Sequence, residues 1–137
     1  MRVTNKPILL VEDDQVDMMR ITRALKEIGV TNQIVHQENG EDALNYLRDE
    51  DSEKPCLILL DLSMPIMNGI EFLRAVKKDE KLRRIPVVVL TTSDDQQDKL
   101  NGFNSGVAGY MGKPSDYPQF VEVIRSIDTY WTISQMP

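Results

Sequence analysis

Cys56-Leu57-Ile58-Leu59-Leu60-Asp61-Leu62-Ser63-Met64-Pro65-Ile66-Met67-Asn68-Gly69 is the stretch on which the fold turns. Cys56 to Leu60 are apolar without alternation, as expected of a strand covered on both faces in a parallel sheet. The run stops at an acid, Asp61, and Pro65 and Asn68-Gly69 then turn the chain toward a helix. In open α/β sheets ligands sit beyond the carboxyl ends of the strands, where a carboxylate can serve as a nucleophile or a metal ligand. An acid that merely caps a strand end has the same local pattern, so the choice rests on the rest of the chain.

Working outward, two more apolar runs end in polar clusters. Pro7-Ile8-Leu9-Leu10-Val11 ends in Glu12-Asp13-Asp14, and Val87-Val88-Val89-Leu90 ends in Thr91-Thr92-Ser93. Gln33–Gln37 is a weaker strand, and Val107–Met111 a short one flanked by glycine, with Lys113 two residues beyond. Helical patterns lie between them. The first, from about Gln15 to Ile28, has Met18, Ile21, Leu25 and Ile28 on one face and Gly29 as a stop, with Asp14 as its cap. Asn39 caps a second helix, roughly Gly40 to Asp49, that buries Ala43, Leu44 and Leu47. Asn68 caps a third with Ile70, Phe72, Leu73 and Val76. A polar segment, Asp94 to Phe103, is the least firmly anchored helix. The last, capped by Ser115 or Asp116, buries Phe120, Ile124, Ile127 and Trp131. The alternation is (βα) five times, which predicts a doubly wound parallel sheet of five strands with right-handed crossovers.

Composition agrees with one soluble domain. The 137 residues are 41% apolar and 28% charged, enough for one core and too few for two. A net charge of −6 with no basic patch argues against nucleic acid, and no apolar run approaches membrane-spanning length. The single cysteine, Cys56, reads as a core residue in a reducing cytoplasm.

This topology brings Glu12, Asp13, Asp14, Asp61, Thr91, Thr92, Ser93 and Lys113 to one edge of the sheet. Acids that converge repel one another unless a cation sits among them. Oxygen ligands without nearby His or Cys select a hard ion, Mg²⁺ or Mn²⁺ rather than Zn²⁺. A lysine and hydroxyls beside them can hold phosphoryl oxygens, so the set suits phosphoryl transfer onto a carboxylate.

Over about residues 6 to 131 the chain resembles the receiver domains of two-component response regulators, the CheY-like family. The matching motifs are Ile8-Leu9-Leu10-Val11-Glu12-Asp13-Asp14, Leu60-Asp61-Leu62-Ser63-Met64-Pro65 with Asn68-Gly69, Pro86-Val87-Val88-Val89-Leu90-Thr91, and Gly109-Tyr110-Met111-Gly112-Lys113-Pro114. The resemblance implies a flavodoxin-like sheet with strand order 2-1-3-4-5. Asp61 then matches the phosphoacceptor for a sensor histidine kinase or phosphotransfer protein. Asp13 matches the direct Mg²⁺ ligand, Glu12 its neighbour acting through metal-bound water, and the Ser63 carbonyl the third protein ligand; Mn²⁺ can substitute. Lys113 matches the lysine paired with Asp61, followed by a bond to Pro114 that is usually cis in the family. Thr91 matches the switch hydroxyl and Tyr110 the aromatic that reports its movement. Thr92 is bulkier than the usual residue there, and Ser63 and Ser93 hold positions that tune phosphoryl lifetime.

The chain ends soon after Trp131, with 132–137 read as a tail, so no output domain is expected and the output is protein binding. The expected switched surface is the 94–131 face, for a downstream protein or a homodimer, with Val123 and Tyr130 as candidate contacts. The Tyr130-Trp131 tail region resembles regulators partnered with phytochrome-type kinases. His36 reads as a surface or packing residue far from the site. Two other classes remain: a receiver fold used as a phosphorylation-independent scaffold, and a phosphatase or flavodoxin-like binder of the same topology. The intact acid, Thr and Lys set speaks against the first. A flavin binder should have a phosphate-cradling loop after the first strand, where acids stand instead. A haloacid-type phosphatase should have a nucleophilic Asp there, a second acid two places on and a cap domain, which Glu12-Asp13-Asp14 and the length of the chain do not fit.

Overall fold

The computed structural model describes residues 6–61, 69–91, 109–114 and 116–134; for Thr91, Gly109, Tyr110 and residues 130–134 it describes the backbone alone. Its strands are β1 (Ile8–Val11), β2 (Ile34–Gln37), β3 (Leu57–Leu60), β4 (Val87–Thr91) and β5 (Gly109–Gly112). Its helices are α1 (Gln15–Glu27), α2 (Gly40–Arg48), α3 (Gly69–Lys78) and α4 (Tyr117–Ser134). All strand pairs are parallel, in the order β2-β1-β3-β4-β5. The first strand therefore lies inside the sheet, and the chain reverses its direction of winding after β2.

Uninterrupted apolar runs form β1, β3 and β4 because both faces of each are covered. Side chains alternate across a strand, and the core divides accordingly. Leu9, Val11, Ile58, Leu60, Val87 and Val89 face one layer with α2 and α3, whose Ala43, Leu44, Leu47, Phe72, Leu73 and Val76 are buried there. Ile8, Leu10, Leu57, Leu59, Val88 and Leu90 face the other, with Ile21, Ala24 and Leu25 of α1 and Phe120, Val121, Ile124 and Ile127 of α4. Met18 and Ile28, placed on one face with Ile21 and Leu25 by spacing, are partly covered, and Ala24 between them is fully buried.

Helix ends follow the local chemistry. The Asp14 carboxylate accepts from the backbone N–H groups of Val16 at 2.8 Å and Asp17 at 3.1 Å, satisfying donors that the helix cannot. Asn39 accepts from Asp42 N–H at 2.8 Å, and Asp116 from Gln119 N–H at 3.2 Å. Gly29, just past α1, has φ of +88°, a left-handed conformation that costs glycine little.

Two expectations change. Strand β5 runs to Gly112, so Lys113 follows the strand end directly; main-chain pairing of Gly109 with Val88 and Gly112 with Thr91 needs no side chain. Among the described residues no peptide bond is cis, so Lys113–Pro114 is trans, the isomer favoured by about 0.5–1 kcal/mol before proline. Val123 is half-buried against the α1/α4 layer, at the side of the core stripe as its spacing implies. The Asn68 cap and the helix expected at Asp94–Phe103 lie outside the described residues, as do the side chains of Tyr130 and Trp131.

Phe72 is fully buried, so Phe72→Ala should destabilise by about 3–5 kcal/mol in urea unfolding. Asp14→Ala should cost about 1 kcal/mol, the value of a lost cap, without altering the m-value.

Candidate phosphoryl and metal site

Register builds the site. Val11 pairs with Leu60, and Asp61 N–H continues the ladder to the Val11 carbonyl at 3.0 Å. Glu12 and Asp61 therefore leave adjacent strands side by side. Counting by twos from Leu10, Leu59 and Met111, all in the α1/α4 layer, brings Glu12, Asp61 and Lys113 to that same side. The acids and the lysine thus emerge where α1 begins.

Glu12 and Asp61 are buried and Asp13 is exposed, and one carboxylate oxygen from each lies within 4.8 Å of the others. Taking such acids out of water is costly without a cation. Lys113, its side chain 5% exposed, supplies one: Nζ donates to Glu12 Oε1 at 2.7 Å and to Asp17 Oδ2 at 3.0 Å, and lies 3.8 Å from Asp61 Oδ1. The resemblance pairs this lysine with Asp61. Here Glu12 and Asp17 hold it more closely, because both offer an oxygen within hydrogen-bond reach.

Burial pushes the Glu12 carboxyl up; Lys113 opposes that and Asp61 adds to it, leaving its pKa at about 8 against an ordinary 4.5. Burial would lower the Lys113 pKa, but Asp61, Glu12 and the hydrogen bonds to Glu12 and Asp17 outweigh it and raise it. One ammonium leaves the carboxylates in excess, and the donors are oxygen only. That set fits a hard divalent ion held by Glu12, Asp13 and Asp61.

Thr91 ends β4, beside Gly112, and Tyr110 pairs with Val89, so both backbones reach the edge; their side chains lie outside the described residues. Ser63, Thr92 and Ser93 lie wholly outside them. One residue escaped the sequence reading and another was misplaced by it. Asp17 sits one turn into α1, on the side facing the strand ends, and its first-turn position was the available signal. His36 is not far from the site: its Nε2 lies 2.7 Å from the Glu12 carbonyl oxygen, which only accepts, so that nitrogen carries the proton. Strand pairing explains this, since His36 stands opposite Leu10, two residues before Glu12.

A parallel sheet in this order, with acids and a lysine gathered at its carboxyl edge, defines a class that comparison with known proteins makes specific. Residues 8–125 match the response regulator receiver domain, and the chain belongs to that family. It is 39% identical over 127 residues to a probable methanogenesis regulatory protein, FilR2, of Methanothrix harundinacea, covering 90% of this chain and 82% of that one. It is 34% identical to the response regulator Rcp1 of Synechocystis, covering 92% and 88%. Among solved structures it is similar to the phosphorylated cyanobacterial phytochrome response regulator RcpA, with a TM-score of 0.87, 35% identity and coverage of 97% and 98%. The Mn²⁺-bound form of Rcp1 has a TM-score of 0.83 at 34% identity, with coverage of 93% and 94%. Divalent metal binding at the Glu12, Asp13 and Asp61 pocket is in keeping with these relatives.

Between pH 4.5 and about 8 the folded protein holds a proton on Glu12 that the unfolded chain has released. The Glu12 contribution to stability without metal is therefore full below 4.5 and is lost as pH rises through about 8. Glu12→Gln, which does not titrate, should gain Tm relative to the wild type across that window in EDTA. A Tm difference that does not vary with pH would show that Glu12 is ionised throughout.

Proposed function

We propose that this protein is a single-domain response regulator, its receiver unit spanning residues 6–131, that takes a phosphoryl group onto Asp61 from a sensor histidine kinase or phosphotransfer protein. A carboxylate oxygen of Asp61 forms the new O–P bond as the donor's N–P bond breaks, and the electron pair of that bond returns to the departing imidazole. Asp61 attacks only while ionised, and Lys113 favours that form. Mg²⁺, or Mn²⁺ in its place, held by Glu12, Asp13, Asp61 and the Ser63 carbonyl, supplies charge compensation for the phosphoryl oxygens. Lys113 binds one of those oxygens, and Thr91 another after its loop shifts.

The carrying observation is the meeting of Glu12, Asp61 and Lys113 at adjoining strand ends, with acids in excess over the ammonium. Attack and later hydrolysis happen on the protein's own side chain, so it acts as a switch rather than as a turnover enzyme. The product adds about one to two negative charges. Thr91 and Tyr110 carry that change to the 94–131 face, which binds a downstream protein or a second copy of the chain. The likeness to RcpA and to a bacteriophytochrome response regulator supports a phytochrome-type kinase as the donor. The single cysteine of the chain, Cys56, is buried in the core, which suits the cytoplasm as the place of action.

Incubation with acetyl phosphate and Mg²⁺ should add one phosphoryl group, located by mass spectrometry at Asp61. Asp61→Asn should abolish labelling, EDTA should suppress it, and Lys113→Ala should slow it by about 10²-fold or more. Labelling that survives Asp61→Asn undiminished would overturn the assignment. Phosphotransfer from a panel of the host's autophosphorylated kinases identifies the donor.

A further inference from the structure

We propose that Asp17 is a positioning residue for Lys113, holding the ammonium at the pocket when a divalent cation occupies Glu12. The inference rests on the reading of Glu12, Asp13 and Asp61 as a cation site.

The same Glu12 carboxylate is asked to do two things. Its Oε1 accepts from Lys113 at 2.7 Å, and it belongs to the group of three acids that converge within 4.8 Å. An ammonium and a divalent ion on one carboxylate repel each other, and more so in a buried site. Cation binding therefore weakens the hold of Glu12 on Lys113. Asp61, the next acid at 3.8 Å, belongs to the converging group as well. Asp17, at 3.0 Å, touches Lys113 but stands outside that group. Among the described residues it is the carboxylate placed to keep Lys113 paired without drawing on the cation's ligands.

Asp17 is itself held. Arg20, one turn along α1, approaches it at 3.7 Å and donates from Nη2 to the Pro114 carbonyl at 3.0 Å. The Arg20 guanidinium also lies 4.4 Å from the centre of the Phe120 ring in α4, a cation–π distance. Helix α1 thus grips the chain twice, at the lysine's side chain through Asp17 and at the next residue's backbone through Arg20. With that backbone fixed, Lys113 can turn between Glu12, Asp61 and a phosphoryl oxygen while keeping one carboxylate partner.

A double-mutant cycle read by Mg²⁺ affinity, with the metal alone as the probe, tests this. Asp17→Asn keeps the shape and an acceptor but loses the charge, and Lys113→Met removes the ammonium. Calorimetric titration should show Asp17→Asn weakening Mg²⁺ binding by about 3- to 10-fold when Lys113 is present, and by less than about 2-fold in the Lys113→Met protein, the coupling expected of contacting groups. Equal factors in both backgrounds would make Asp17 a distant charge only, and no change in either would remove its role; both overturn the proposal. A wild-type protein that binds no Mg²⁺ overturns the cation-site reading and this inference with it. If the wild type binds Mg²⁺ and accepts phosphoryl groups yet the cycle shows no coupling, this inference alone fails.

Discussion

The pairing of Val11 with Leu60 is the constraint from which the site follows. Two strands locked in parallel by main-chain hydrogen bonds release Glu12 and Asp61 next to each other, whatever the side chains prefer. Both are buried, so the arrangement stores repulsion that folding must offset. Lys113 is the protein's own answer, an ammonium delivered from the far edge of the sheet into the gap between the acids. One cation among several carboxylates is an incomplete answer, and the shortfall is what draws a divalent ion.

This balance links stability to function. A core built from both faces of the sheet, with Leu9 and Ile58 on one side and Leu10 and Leu59 on the other, holds the strand ends against that repulsion. The site is thus prearranged without its cation, at the expense of an elevated Glu12 pKa. Phosphorylation of Asp61 would add charge to the most crowded point. The lysine must then redistribute its bonds, and α1, which touches it through Asp17 and holds the next residue's carbonyl through Arg20, lies closest to that change.

Much of this was legible from residues 7–14, 56–69 and 86–91. Apolar runs, caps and turn glycines act over a few residues, so among the described residues the strands emerge within a residue or two of their expected ends and α1 and α2 start directly after their expected caps. The acids and the lysine were legible as chemistry because each stands where an apolar pattern stops. Asp17 and His36 were not, since neither interrupts a pattern: one is an ordinary first-turn acid, the other a polar residue in a weak strand.

By itself, then, the sequence determined the order of elements, the layers of the core and the kinds of group at the sheet edge, because those depend on periodicity and near neighbours. Tertiary structure decided which group bonds which. Lys113 stands 101 residues from Glu12 and 96 from Asp17, and nothing local distinguishes those acids from Asp13 or Asp14. Strand register, side-chain alternation and the place where α1 crosses the sheet make that choice, and they exist only once the sheet has formed.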